Sequence, residues 1–378
     1  MKTKAALIED YGEKVHVGEV DLRDPGPGEV LVEIAASGVC HSDLHVVTGD
    51  LPLPVPMVLG HEAAGIIRAV GPGVTSRKTG ESVVLSWIPP CGSCRFCLEG
   101  QPQLCTRAAA AAMKGKLLAA DAPFSRGGQV VHSFSLTGTL SQYTVVPAQG
   151  AIPLPEGVPL DKAALLGCAV MTGVGAAMNT AALSPGQSVA VFGAGGVGLS
   201  VIQGARIAGA SQIIAVDRVP LRLDLARQLG ATDILNTNDE DPVDGLLSRT
   251  GGYGPDVTFE AIGRPETIVQ AFNAVRKGGT AVIVGVAPPH EEISLNAFAF
   301  PSQEKTLKGS WYGSSDPTRA LPKLARLVRS GQLRLDPMVT RTYGLEDAPL
   351  AFDDLAEGRV GRPVVHIGLL EEEHHGAF

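Results

Sequence analysis

Two hydrophobic periodicities divide the chain. In its first part, short apolar–polar alternations such as "EVLVEIAASG" (29–38) are separated by turn-forming runs such as "DPGPGEV" and "AVGPGV". Period-two alternation bounded by Gly and Pro predicts half-buried strands, with few helices among them. The pattern then changes. An apolar strand from Val189 to Phe192 leads through glycines at 193, 195 and 198 into a helical run with Leu199, Ile202 and Ala205 on one side. "QIIAV" reads as the next strand, "PLRLDLARQLGA" as a helix and "PDVTFEAIG" as a strand. "PETIVQAFNAVRKGG" follows as a helix ended by glycine, and "TAVIVGV" as a strand. Strands alternating with helices predict a doubly wound parallel sheet. The expected fold class is α/β: a mostly β domain over 1–169, a parallel-sheet domain over 170–311, and a return of the first domain over 312–378.

Composition narrows the class of partner. A chain of 378 residues suits two domains rather than one. Its 44% apolar and 4% aromatic content suits a core of Val, Ala, Leu and Ile. A net charge of −8 without a basic cluster excludes nucleic acid and an anionic membrane surface as expected partners. "MKTKAALIEDYG" carries acidic residues where an export signal needs an apolar core. "VAVFGAGGVGLSVIQGARIAGA" is interrupted by Ser200, Gln203, Arg206 and glycines, so no membrane span is expected. The expected location is cytoplasmic, where cysteines persist as thiols or metal-bound thiolates.

Four of the six cysteines are crowded into "CGSCRFCLEGQPQLC". Cys91, Cys94, Cys97 and Cys105 are spaced C-x2-C-x2-C-x7-C, which lets successive sulfurs turn towards one point. Four thiolates suit a closed structural zinc site. Iron–sulfur ligand runs share the two-residue gaps, so that reading stays open, while a disulfide framework fits neither the gaps nor a reducing compartment. Cys40 in "SGVCHSDLHV", His61 in "LGHEAAG" and Cys168 in "LLGCAVMTGVG" would supply two thiolates and one imidazole. Taken one by one, each also reads as an ordinary buried residue.

The glycines 193, 195 and 198 form G-x-G-x-x-G between strand and helix, and Asp217 follows nineteen residues later. Such glycines permit a tight turn, the helix N-terminus attracts pyrophosphate, and the acid binds ribose hydroxyls. A turn that merely packs is the alternative. Asp217 favours NAD over NADP; Arg218, beside it, is the residue that weakens that preference.

In this order and spacing, "GVCHSD", "LGHEAAG", "CGSCRFC", "LLGC" and "GAGGVG" resemble the zinc-dependent alcohol dehydrogenases of the medium-chain dehydrogenase/reductase superfamily, over about residues 5–367. The resemblance implies a GroES-like catalytic domain split around a Rossmann domain, with the active site in the cleft between them. It implies two zincs per chain: a catalytic one on Cys40, His61 and Cys168, and a structural one on Cys91, Cys94, Cys97 and Cys105. Asp43 would orient His61, and Glu62 would lie beside the metal. Ser42 would take the alcohol proton and pass it through the cofactor ribose to His45. Gly193, Gly195, Gly196, Val197, Gly198 and Asp217 would cradle NAD, with Thr172 at the nicotinamide. His41 and Arg362 would flank the pyrophosphate, and Arg222 and Arg264 the adenosine. Trp87, Phe134, Val286 and Trp311 would surround the substrate, with Leu51 and Ala110 farther out.

The implied reaction is reversible hydride transfer between a primary alcohol, aromatic or medium-length aliphatic, and NAD, giving the aldehyde. The long stretch after Cys105 implies a homodimer, with a tetramer as the alternative. Formaldehyde dehydrogenases that use glutathione carry arginine four residues after the last structural cysteine, where this chain has Ala109. A thiol-dependent formaldehyde dehydrogenase is therefore an alternative reading, as is an enzyme that keeps NAD bound. A catalytically inactive zinc- and NAD-binding protein is the non-enzyme alternative. The Ala-rich loop 108–112 and the tail "LLEEEHHGAF", read as a solvated end, receive no role.

Overall fold

A computed structural model of the chain describes residues 1–368; the tail 369–378 lies outside the described residues. The chain forms two compact units, Met1–Cys168 with the return segment from Asp316, and Ala169–Ser315.

In the first unit, strands Lys2–Ile8, His16–Leu22, Phe124–Arg126, Gln129–Ser133 and Met57–Val58 close into a small barrel. A seven-stranded sheet forms the rest of its β structure. Its central strand, Glu29–Gly38, pairs antiparallel with Glu62–Val70, Tyr143–Pro147 and Pro363–His366. Alternation in this strand sends Val30, Val32 and Ile34 into the core, and burial becomes continuous towards Cys40. Register shifts after Leu31 and Ile34 bend the strand as it approaches that cysteine. The return segment thus supplies two strands, Arg341–Gly344 and Pro363–His366, to the same sheet rather than a separate layer.

The second unit is a parallel sheet in the order Asp233–Asn236, Gln212–Asp217, Ser188–Phe192, Val257–Glu260, Thr280–Ile283, Thr306–Gly309. Counted along the chain this is 3-2-1-4-5-6, the doubly wound order with the switch point at Ser188–Phe192. The helices fall where hydrophobic spacing puts them, at Gly196–Ile207, Pro220–Leu229 and Pro265–Ala274. The strand Asp233–Asn236 and the helix Pro242–Arg249 are additions. The strand is too short to show a period, and the helix is marked mainly by its cap, Asp241, which accepts from the backbone of Val243 and Asp244.

The first unit is also more helical than its pattern suggests. His41–Thr48, Thr106–Ala112, Pro317–Arg329 and Ala348–Ala356 are α-helices. The "AAAAA" run lies in the second of these, whose N-cap is Cys105. Among the described residues no single helix is long and apolar enough to cross a membrane.

Candidate active site

Cys40, His61 and Cys168 come together, buried, with one ligand atom from each within 4.8 Å of the others. His61 Nε2 lies 3.3 Å from Cys168 Sγ. Each reaches the site by a local device. Cys40 lies two residues past the end of the central strand, as the N-cap of the helix His41–Thr48. Gly60, at φ +91°, turns the chain just before His61, and a Cβ there would stand 2.5 Å from Leu140 N. Gly167 lets Cys168 approach the sheet, since a Cβ at 167 would stand 2.6 Å from Leu85 O.

Asp43 organises this cluster. Fully buried, it accepts from the backbone N–H of Cys40 at 3.0 Å and of Gly60 at 2.8 Å, and faces His61 Nδ1 at 3.2 Å. Burial by itself would depress the His61 pKa. The Asp43 carboxylate, and then the Cys40 sulfur, outweigh it and raise that pKa to about 10. Cys40 moves the other way, well below the usual thiol range, chiefly through a hydrogen bond with the Cys168 thiol and despite burial. A positive charge is therefore favoured beside the Cys40 sulfur and the Asp43 carboxylate. The donor set fits zinc: two thiols and one imidazole, with a single carboxylate, Asp43, behind the imidazole.

Ser42 Oγ lies 3.8 Å from Cys40 Sγ. His45, on the same helix, places Nδ1 3.3 Å from Asp50 Oδ2. Asp50 was not singled out in the sequence; it lies five residues after His45, beyond the helix end at Gly49, where periodicity gives no signal. Glu62 and Arg362, expected beside metal and pyrophosphate, form a buried ion pair with each other. Arg362 Nε is buried there without a hydrogen-bond partner.

The other four cysteines also converge. Sulfur separations are 3.9 Å for Cys91–Cys97, 3.5 Å for Cys94–Cys97 and 3.9 Å for Cys94–Cys105. A disulfide would need about 2.05 Å, whereas a tetrahedron with Zn–S bonds of about 2.3 Å has edges of about 3.8 Å. Backbone N–H groups of Cys91, Cys94 and Ala108 point at these sulfurs from 3.3 to 3.4 Å. The Cys97 backbone lowers Cys94 to about 6, while burial pushes Cys97 up to about 12. Four thiols this close ionise together only around a cation.

In the second unit, Gly193 adopts φ +88° at the end of the first strand, and Gly196, Val197 and Gly198 open the helix. A Cβ on Gly198 would stand 1.7 Å from Gly193 O, whereas one on Gly195 would meet nothing within 4 Å. One glycine is thus demanded by the fold and the other keeps space open at a helix N-terminus, the cradle a pyrophosphate requires. Asp217 holds this turn directly: Oδ2 accepts from Ala194 N at 2.7 Å and Oδ1 from Val219 N at 2.9 Å.

The remaining candidates divide between the units. In the first, His61 is flanked edge-on by Phe134 and Trp87, with ring centroids at 5.1 and 6.3 Å. Leu51 packs against the apolar core that includes Val46 and Val47. His41 is exposed at the start of its helix, and Ala110 is exposed on the helix Thr106–Ala112. In the second, Thr172 is half-buried on the helix Ala169–Gly175, while Val286 and Trp311 are exposed. Arg222 lies half-buried on Pro220–Leu229; Arg264, at the start of Pro265–Ala274, pairs with Glu266 at 3.4 Å.

A split β unit bearing a Cys2His cluster and a four-cysteine cluster, together with a doubly wound dinucleotide unit, defines the class of zinc-containing dehydrogenases. Known proteins agree. Residues 26–156 match the alcohol dehydrogenase GroES-like domain and residues 196–329 the zinc-binding dehydrogenase domain. The chain is 40% identical to an S-(hydroxymethyl)glutathione dehydrogenase of Synechocystis, covering 97% of this chain and all of that one. It is 37% identical to an NDMA-dependent alcohol dehydrogenase of Amycolatopsis methanolica, over 97% of this chain and 99% of the other. The crystal structure of benzyl alcohol dehydrogenase from Acinetobacter calcoaceticus superposes with a TM-score of 0.90 at 33% identity, covering 97% and 100% of the two chains. The chain belongs to the zinc-dependent alcohol dehydrogenase family of the medium-chain dehydrogenase/reductases, oxidoreductases that use zinc and a nicotinamide cofactor.

Proposed function

We propose that Cys40, His61 and Cys168 hold the catalytic zinc, that the four-cysteine cluster holds a structural one, and that the glycine turn with Asp217 holds NAD. The observation that carries this reading is the meeting of two thiols and one imidazole within 4.8 Å, backed by a buried carboxylate. These three residues would hold the metal and would leave it open to a substrate oxygen. When bound, zinc supplies Lewis acidity towards that oxygen and the nicotinamide supplies a two-electron acceptor. Asp43 holds the His61 proton on Nδ1 and leaves Nε2 for the metal. Ser42 takes the alcohol proton, and His45, partly exposed beside Asp50, hands it to water. The carboxylate of Asp217 disfavours a 2′-phosphate, so NAD is the cofactor read here.

The substrate class is a primary alcohol, aromatic or medium-length aliphatic, interconverted with its aldehyde. Trp87 and Phe134 beside His61 support an aromatic-walled metal site, and the likeness to a benzyl alcohol dehydrogenase points the same way. A glutathione adduct, suggested by the name of the Synechocystis relative, is less well supported because Ala109 stands at the position of the expected arginine. A cytoplasmic homodimer completes the reading by analogy with the long-loop enzymes.

The test is the initial rate of NADH formation from benzyl alcohol and added NAD at mildly alkaline pH, in protein carrying two zincs per chain. A clear rate is expected. No rate in fully zinc-loaded protein overturns the reading. Release of NAD on denaturation would then point to a bound-cofactor enzyme, and activity with formaldehyde plus a thiol to an adduct substrate.

A further inference from the structure

Three local irregularities of the second unit meet at one place. Residues 312–314 are successively left-handed, with φ of +51° at Tyr312, +67° at Gly313 and +49° at Ser314. A buried tyrosine in that conformation is an outlier. Such backbone persists only where its surroundings over-determine it, and it concentrates at functional sites.

The second irregularity supplies the restraint. The helix Ala169–Gly175 continues as a π turn, Ala176–Thr180, with Ala181 N donating to Ala176 O at 2.9 Å. Widened turns of this kind are rare and shift the side chains that follow them. Here the shift delivers Asn179 and Thr180 to the left-handed turn. Thr180 Oγ1 lies 2.8 Å from Ser310 Oγ and 2.8 Å from Ser314 Oγ. Asn179 Nδ2 donates to Gly313 O at 3.1 Å and to Ser315 Oγ at 2.6 Å. Lys308 Nζ donates to Thr180 O at 2.6 Å.

The third is a backbone-on-backbone contact. A Cβ on Gly313 would stand 2.3 Å from Met171 O, and one on Gly175 would stand 2.5 Å from Gly313 O. The turn is therefore seated on the helix that carries Thr172, and its chain continues directly from Trp311. The adjoining strand, Thr306–Gly309, is already secured by its ladder with Thr280–Ile283, so anchoring the sheet does not require this clamp.

We infer that Asn179 and Thr180 are positioning residues: they lock the left-handed turn so that Trp311 and Thr172 are held in one fixed arrangement at the nicotinamide end of the dinucleotide site. This inference rests on the roles proposed above for Thr172 and Trp311. None of the clamp's hydrogen bonds involves the glycine turn proposed to hold pyrophosphate, so the clamp should govern placement of the ring rather than overall affinity.

The test compares zinc-loaded, full-length Thr180→Val, Asn179→Ala and Thr180→Ser with the unmodified protein. NADH affinity, fluorescence of the bound reduced nicotinamide, and steady-state oxidation of benzyl alcohol are read together. For Thr180→Val and Asn179→Ala the Kd for NADH should stay within about twofold, because remote contacts supply most of the binding. Nicotinamide fluorescence should change, and kcat should fall about tenfold through misplacement of the reacting groups. Thr180→Ser should restore both. Unchanged fluorescence and kcat in both variants would overturn the inference. So would a joint loss of affinity, kcat and melting temperature that Thr180→Ser does not recover. Should Thr180→Val fail to fold, Asn179→Ala decides alone, since that side chain is exposed. Should the unmodified protein bind NADH without oxidising benzyl alcohol, the proposed substrate fails while the fluorescence comparison still decides the clamp.

Discussion

The carboxylate of Asp43 stands 3.2 Å from Nδ1 of His61, and the other nitrogen of that ring stands 3.3 Å from the sulfur of Cys168. One acid therefore sets the tautomer and the direction of an imidazole that faces the proposed metal position. It also binds the backbone of Cys40 and of Gly60, so it aligns two ligands at once.

Asp43→Asn replaces an oxygen that accepts with a group that donates. It should weaken zinc at Cys40, His61 and Cys168 by about 10- to 100-fold while leaving the four-cysteine zinc in place. Metal content after graded chelation, followed beside the NADH-forming rate, checks this. Equal loss of both zincs would show a general defect instead.

The lobe that carries Cys91, Cys94, Cys97 and Cys105 has almost no core of its own. Its short helix, Arg95–Leu98, buries no residue, and Leu98 is exposed. A metal is then what stabilises the lobe, as in small metal-dependent domains. Cys97→Ser should reduce zinc from two to one per chain and lower the Tm by about 5 °C. Calorimetry with parallel metal analysis tests it; an unchanged Tm at one zinc per chain would remove the structural role.

Gly195 and Gly198 should separate fold from cofactor binding. A Cβ at 198 collides with Gly193 O, while one at 195 projects into free space from a backbone, φ −77°, that any residue adopts. Gly195→Ala should keep the melting temperature and raise the Kd for NADH by about tenfold, because its methyl occupies the pyrophosphate cradle. Gly198→Ala should lower stability first. Melting curves and NADH titrations of the two variants distinguish these outcomes, and equal behaviour would contradict the assignment.

Trp87 meets the His61 ring edge-on, at an interplanar angle of 88°. Its removal should make room near the proposed metal for a branched carbinol. Trp87→Ala should raise kcat/KM for 1-phenylethanol relative to benzyl alcohol by about tenfold. An unchanged ratio would mean that Trp87 does not wall the substrate site.

Local chemistry was legible in the sequence because it depends on short spacings. Two-residue gaps bring Cys91, Cys94 and Cys97 towards one point wherever the lobe is placed. A strand followed by G-x-G-x-x-G and a helix makes a turn with an open helix N-terminus from its own backbone, and Asp217, at the end of the next strand, accepts from the backbone of that turn. Alternating strands and helices likewise announced the parallel sheet, apart from Asp233–Asn236 and Thr306–Gly309, each too short to carry a period. Short helices such as His41–Thr48 were missed for a similar reason: the turn chemistry around them dominates eight residues of pattern.

What only the tertiary structure decided are the pairings across long stretches of chain. His61 and Cys168 are 107 residues apart, and Glu62 and Arg362 are 300 apart. Sequence resemblance could assign these residues roles, but not the ion pair that joins the last two. Their meeting follows from strand register. Gly38 pairs with Glu62 on one side and with Val364 on the other, so three distant segments converge next to Cys40. Register depends on the burial of whole strands rather than on any local motif. The clamp of Asn179 and Thr180 on a left-handed turn has the same origin, since a π turn and three positive φ angles are choices that packing imposes.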